Sequence, residues 1–454
     1  MGRGFMPFRK LTDKRRGQAL ILVTLALVPL FGLLGLVVDL GWMEFVKKSA
    51  QTAADAAALA AVLKFQTTVF STDLTCGTGG VICQSPTSCS PAPTNYLNTG
   101  CQYATTNGFS ASGNQNVTIA AGIGSPPTTT GLNTSTYWVT ARVSQSVPQL
   151  FSAVLGNSSG LVSARATAAL NPSKDCIYVM DPSGSGAITM GGTPSLTSAC
   201  GVYINSSSGT ALSGNGTPTL SASEIDIVGG YSFGGTLNPN PPSTGVATMS
   251  DPLSALPAPT VPSGCDHTNY QVNTGGTDTL NPGVYCGGIY VKKGIASFNP
   301  GLYIMKGGGL STQDANSHIT GSGVTIYNTY DPASGNPSIS TYSPINIVAA
   351  STTTLTAPTT GTYAGVLIME DRRITPTSCG GSICSDNFGG GSTAAYTGII
   401  YGPSSLMNFY GNAGLTSYTI VVAYRIAMNG TTSINNDYSS LPSGNPIKIT
   451  ALVE

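Results

Sequence analysis

Two short stretches of this 454-residue chain hold side chains that could do chemistry. "VMDPSGSG" contains Asp181, Ser183 and Ser185 as Asp-x-Ser-x-Ser, one carboxylate and two hydroxyls, the hard oxygen donors that Mg²⁺ takes. "MEDRR" places Glu370 and Asp371 side by side, followed by Arg372 and Arg373. Two carboxylates are the machinery of glycoside cleavage, with an arginine to assist. Each stretch also has a plainer reading. A metal-binding Asp-x-Ser-x-Ser belongs to a fold whose strands alternate with helices, and here Pro182 and the bursts that follow predict turn and strand, with Asp181 capping the turn. Adjacent residues of a strand face opposite sides, so Glu370 and Asp371 predict a salt-bridged strand end. His267 and His318 are the only histidines, 51 positions apart, and no Cys-x2-Cys spacing occurs. That removes the usual zinc patterns and any persuasive Ser-His-Asp set. Neither a phosphate loop nor a dinucleotide fingerprint is present. The chain is therefore predicted to be no enzyme, with no catalytic residue, no metal and no cofactor.

The ten cysteines all follow residue 64. They fall in clusters that predict local disulfides formed in an oxidising compartment: Cys76, Cys83, Cys89 and Cys101 together, then Cys176 with Cys200, Cys265 with Cys286, and Cys379 with Cys384. Within the first cluster three connectivities are open.

The elements that carry these residues begin with charge. Formal net charge is zero and only 8% of residues are charged. Residues 1–16 nevertheless sum to +5, while residues 65–454 carry ten basic and fifteen acidic side chains. An acidic body is a poor partner for nucleic acid. "GQALILVTLALVPLFGLLGLVV", Gly17 to Val38, has no charge in 22 residues and is long enough to cross a hydrocarbon core of about 30 Å. Pro29 is tolerable inside such a helix. The basic residues precede it, so residues 1–16 are predicted to stay in the cytoplasm and the rest to be exported. The segment 39–64 has no Gly or Pro after Gly41 and is rich in helix formers, so it continues the span as one helix. Ala50, Ala53, Ala54, Ala57, Ala58 and Ala61 recur at spacings of three and four. That small-residue face predicts close approach by another helix or a sheet.

"RRGQALILVTLALVPLFGLLGLVVDLGWMEFVKKSAQTAADAAALAAV" resembles the N-terminal module of TadE/TadG-like Flp (tight adherence) pilus-assembly proteins. Arg16-Gly17 before the span, Val38-Asp39 at its exit and the run from Gln51 to Ala60 carry the likeness, which extends over about fifty residues. The resemblance implies a pilin-like long helix, an inner-membrane location and other pilus-assembly or pilin-like helices as partners. Processed pilin-like subunits have Glu five residues after the cleaved Gly, where this chain has Leu22. That departure from the family's pattern favours an uncleaved, anchored relative of the G type and leaves cleavage after Gly17 open. Some TadG-like proteins also carry a von Willebrand A domain, whose Asp-x-Ser-x-Ser the stretch at Asp181 matches in letters only.

Residues 65–174 predict a small α+β head. "NVTIAAGIG", "STYWVTARVSQ" and "GLVSARATAAL" read as strands, and "PQLFSAVLG" as a short helix ending at Gly156. Residues 175–454 are short apolar bursts divided by Gly, Ser, Asn and Thr, with no helical period. "LNPGVYCGGIYVKKG" and "FNPGLYIMKGGGLS" repeat one unit, which predicts an all-β domain, a parallel β-helix ahead of a sandwich or barrel. Residues 237–264 are Pro-rich and predict an extended insertion in that domain. The function expected from the whole is a single-pass, membrane-anchored structural component of a Tad/Flp-type pilus system. Its exposed Tyr, Asn and Thr would suit polysaccharide or protein partners. The alternative is a cell-envelope adhesin or a polysaccharide-acting β-helix protein.

Overall fold

The structure, a computed structural model, describes residues 16–69, 74–126, 137–338, 340–348, 352–390, 395–411, 419–434 and 447–453. Residues 1–15 of the basic tail lie outside the described residues. The chain divides into two compact units, residues 1–65 with 82–170 and 450–454, and residues 66–81 with 171–449.

The first unit is organised by helix α1, Arg16–Thr68, which is 53 residues long and contains Pro29. Its described side chains from Ile21 to Val38 are almost all exposed. Among the described residues no helix is long and apolar enough to cross a membrane. The side chains of residues 16–20, Val28, Phe31 and Leu34 lie outside that description. From Val46 to Phe65 the helix changes character, and one face is fully buried. What covers it is a sheet of β1 (Gln84–Ser88), β2 (Gln115–Ile123), β3 (Tyr137–Pro148) and β4 (Ser159–Pro172), in that order, with the C-terminal strand Lys448–Leu452 beyond β4. The β1–β2, β2–β3 and β3–β4 pairs are antiparallel. The strands alternate as a half-buried sheet should: Val117 and Ile119, Tyr137, Val139, Ala141 and Val143, and Val162, Ala164, Ala166 and Ala168 are buried. Helix α2, Leu97–Thr106, lies beside α1, and the Cys89–Cys101 disulfide ties it to the end of β1.

The second unit is a solenoid of short parallel strands, as expected from the repeated units, and its chain order is permuted. From one end the strands stack as His267–Val272, Gly283–Val291, Gly301–Lys306, Val324–Thr329, Val366–Glu370, Ile399–Gly411 and Ile420–Ile434. The next strand in the stack is Asp175–Val179, the first strand of the unit in sequence, followed by Gly201–Ile204, Ile225–Ile227 and Ser243–Thr244. The chain thus enters at mid-stack, climbs to one end, crosses to the other and winds back to its own entry point.

Ten inter-strand steps of about 4.8 Å make a stack of about 48 Å. The crossover of residues 245–266 can reach about 70–80 Å when fully extended, enough to run along the solenoid wall and still make a turn at residues 252–255. Its contacts descend in order. Asn205 Oδ1 accepts from the Met249 N–H at 2.9 Å, Tyr401 Oη meets Asp251 Oδ2 at 2.5 Å, and Arg372 donates to the carbonyls of Leu253 and Leu256. Lys306 Nζ then donates to Ser263 O at 2.8 Å, and Cys265 is bonded to Cys286. Prolines suit a segment that pairs with no strand and runs along the wall. The Pro-rich stretch expected at 237–264 begins inside the solenoid, because Thr236–Asn238 and Ser243–Thr244 are still strands.

The repeated units occupy successive levels. Asn299 Nδ2 donates to Asn281 Oδ1 at 2.9 Å, Tyr285 Oη caps the Asn281 carbonyl at 2.7 Å, and Tyr303 Oη caps that of Asn299 at 2.8 Å. Each tyrosine donates to a corner carbonyl of its own repeat, at an exposed Asn-Pro turn.

Candidate assembly site: a helix face and its hairpin

Ala50, Ala53, Ala54, Ala57, Ala58 and Ala61 are all buried. Of the helix or sheet expected to approach this face closely, it is the chain's own sheet that covers it. Gln51 Nε2 donates to the Arg165 carbonyl of β4 at 3.0 Å, and the Phe65 ring stacks on Tyr137 of β3 at 3.9 Å. A Cβ on Gly100 of α2 would stand 2.8 Å from the Ala57 carbonyl and 3.2 Å from Ala61 Cβ. Small residues here set the helix-to-sheet distance, and each buried methyl adds about 0.8 kcal/mol.

The same face continues down the helix at steps of four, through Met43, Asp39 and Gly35. Here it meets the hairpin between β3 and β4. Asp39 accepts three backbone N–H groups, from Leu150 at 3.0 Å, Phe151 at 3.1 Å and Ser152 at 2.7 Å. The Ser152 N–H, at the start of a 3-10 turn Ser152–Leu155, contributes most to holding this carboxyl below its ordinary range. The turn ends at Gly156 in the left-handed region, φ 95°. One turn up, Gln149 Nε2 lies 2.7 Å from Met43 Sδ, and a Cβ on Gly160 would collide with the Met43 thioether. One turn down, a Cβ on Gly35 would fall 2.3 Å from the Phe151 ring. The sequence reading placed Asp39 only as the exit of the span and missed Gly35 altogether. The 35–39–43 spacing is visible in the sequence, but its meaning depends on a hairpin more than a hundred residues away.

Gly17 and Pro29 lie in α1. The pairs Cys89–Cys101, Cys176–Cys200, Cys265–Cys286 and Cys379–Cys384 are bridged, and Cys76 and Cys83 are also disulfide-bonded.

The side chains of the two chemical stretches pair with neighbours inside the solenoid. Asp181 Oδ1 accepts from the N–H groups of Ser183 at 3.0 Å and Gly184 at 2.8 Å, and its Oδ2 pairs with Arg425 Nε at 2.5 Å. Burial pushes this carboxyl up, but those donors outweigh it and hold it low. Among the described residues no group of three or more His, Cys, Asp and Glu could hold a metal ion. Glu370 and Asp371 do face apart. Asp371 is paired to Arg373 at 2.6 Å and accepts from Thr329 Oγ1 at 2.6 Å. Glu370 turns inward to Tyr342 Oη and Ser405 Oγ. Its carboxylate neighbour is Asp386, whose pKa burial and the Glu370 charge push far up. Glu370 and Asp386 are both buried, closed to a polymer substrate.

On the outer face of the head sheet a cleft of 530 Å³ is lined by Gln84, Thr118, Trp138, Thr140, Arg142 and Arg165. Arg142 and Arg165 stand directly opposite each other on β3 and β4.

Comparison with known proteins bears on the helix alone. Residues 17–64 match the family model described as putative Flp pilus-assembly TadE/G-like. This segment is a TadE/G-like Flp pilus-assembly domain. Its limits coincide with the helix face just described, from the start of α1 through the buried alanines. No curated protein and no solved structure matches the chain.

Proposed function

We propose that the protein is a membrane-anchored structural component of a Tad/Flp-type pilus assembly or secretion system, with residues 1–16 in the cytoplasm and the two β-rich units exported. The observation that carries this reading is the TadE/G-like domain at residues 17–64. Supporting it, the stretch Gly17–Val38 read whole has 22 residues without a charge, about 33 Å of helix, and the basic cluster precedes it. Disulfides on both sides of the solenoid crossover fit an oxidising compartment. The β-rich body acts by binding and by shape, not by catalysis, in keeping with the closed carboxyl pair.

Because the alanine face is spent inside the chain, partner helices would meet the apolar face of residues 21–38. The test is carbonate extraction of native membranes with protease treatment of spheroplasts. The chain should stay in the membrane and its body should be digested from outside. A chain released by carbonate, or a body protected from protease, overturns the anchor. Normal piliation in a deletion strain overturns the pilus role. One observation favours an adhesin as a second reading: the Trp138–Arg142–Arg165 cleft has the size of a small-ligand site.

A further inference from the structure

We propose that the tip of the β3–β4 hairpin is a membrane collar, inserting Leu150 and Phe151 into the lipid leaflet on the exported side, beside the emerging helix. This rests on the reading that Gly17–Val38 spans the bilayer. Leu150 is 74% exposed and Phe151 46%, high values for two adjacent apolar side chains at the tip of the hairpin.

Their height relative to the bilayer follows from α1 itself. Phe151 lies against Gly35, four residues inside the uncharged run counted from Asp39, which is about 6 Å of helix. The hairpin tip therefore descends below the point at which the helix would leave the hydrocarbon. Its composition suits that depth. From Val143 to Ala164 there is no charged residue, whereas Arg142 and Arg165 stand at the two upper ends.

The charge that does lie at the boundary is already satisfied. All three hydrogen bonds to the Asp39 carboxylate come from the hairpin's own backbone, so neither the carboxylate nor those N–H groups are left for lipid to solvate. Above this level Trp42 and Phe45 stack at 5.4 Å and are exposed, followed by exposed Lys47 and Lys48. Aromatic then basic residues mark the height of the headgroups. The occupant is lipid because the exposed face of the hairpin is continuous with the uncharged face of the helix. The collar would fix the height and tilt of the head on the membrane, which a single helix cannot do.

The test uses the full chain in phosphatidylethanolamine–phosphatidylglycerol vesicles. Trp42 and Trp138, the only tryptophans, are replaced by Phe, and a single probe is introduced as Leu150→Trp or, as the anchor control, Leu36→Trp. Lipid brominated in its acyl chains should quench the Leu150→Trp probe as well as the control. Quenching of Leu36→Trp alone overturns the collar and leaves the anchor standing. No quenching of any probe overturns the anchor and the collar with it. The unsubstituted chain gives a second measurement that needs no variant. A photoactivatable acyl-chain lipid should label Leu150 and Phe151 as well as Gly17–Val38. Label confined to the span, or a hairpin crosslinked to a second copy of the chain instead, overturns the proposal.

Discussion

Replacing Gly100 by alanine sets two known effects against each other. Gly100 sits inside α2, where alanine is the better helix former by about 1 kcal/mol. The added methyl would stand 2.7 Å from Ile119 Cδ1 and 2.8 Å from the Ala57 carbonyl oxygen. The isoleucine tip can turn aside. The carbonyl belongs to the backbone of α1 and cannot, so α2 must lift off the helix it packs against. Overpacking of this kind costs about 1–3 kcal/mol, and a backbone obstacle puts it in the upper half of that range. The net effect is a loss of about 1–2 kcal/mol, which opens α2 about 5–30 times more often. Hydrogen exchange over residues 97–106 reads this directly, and reduction of Cys89–Cys101 by a small thiol reads it a second way, since Cys101 is the next residue. Thr99→Ala supplies the control, because it brings the propensity gain at a half-buried position and should slow exchange. If Gly100→Ala also slows exchange, α2 does not pack on α1 as described and the reasoning fails.

Three further outcomes follow from the structure. Asp39→Asn leaves one carbonyl oxygen to accept from the hairpin, and exchange of the Leu150, Phe151 and Ser152 amides should quicken while β2 is unaffected; unchanged exchange would mean that the helix does not hold the hairpin. Burial, then the charges of Glu224 and Asp226, push the Asp175 carboxyl up to about 7 from 3.8. The folded state therefore favours the protonated form, and the stability it contributes is full below pH about 4 and lost as pH rises to about 7, up to about 4 kcal/mol. Asp175→Asn should flatten that loss, read as exchange in Asp175–Val179 and Gly201–Ile204 at pH 5 and pH 8; an equal pH effect in the variant assigns it elsewhere. Arg372→Ala removes the donors to Leu253 and Leu256 and should expose residues 245–264 to proteolysis, with the solenoid intact; resistance equal to the parent chain would show that Cys265–Cys286 and the other contacts hold the crossover alone.

The permuted winding makes the crossover a structural necessity. Ile420–Ile434 pairs with the first strand of the unit only if residues 267–434 start from the far end. The crossover has to bring the chain there before those strands can stack. Once they have stacked, it remains along the wall, held by Arg372, Tyr401 and Lys306.

Local chemistry in the sequence determined the elements themselves. The uncharged run and the alanine spacing specify a long helix with one small face, because helical period and side-chain size are properties of consecutive residues. Alternation specified the head strands, and the Asn-Pro-Gly repeats specified a stacked solenoid. The opposite facing of Glu370 and Asp371 followed from the pleat of a strand. Tertiary structure decided where each surface goes. The alanine face meets its own sheet because β2, β3 and β4 offer an inward apolar face, larger side chains such as Ile119 and Val139 facing small ones, a match between segments separated by about a hundred positions. Glu370 finds Asp386 because the loop of residues 371–384 folds back and brings two strands of one coil side by side. The solenoid is entered in its middle because parallel strand edges are interchangeable to the backbone, and only the fit of Ile420–Ile434 against Asp175–Val179 selects which edges join. Short-range pattern fixes what an element is, and long-range register, which no local pattern encodes, fixes what it touches.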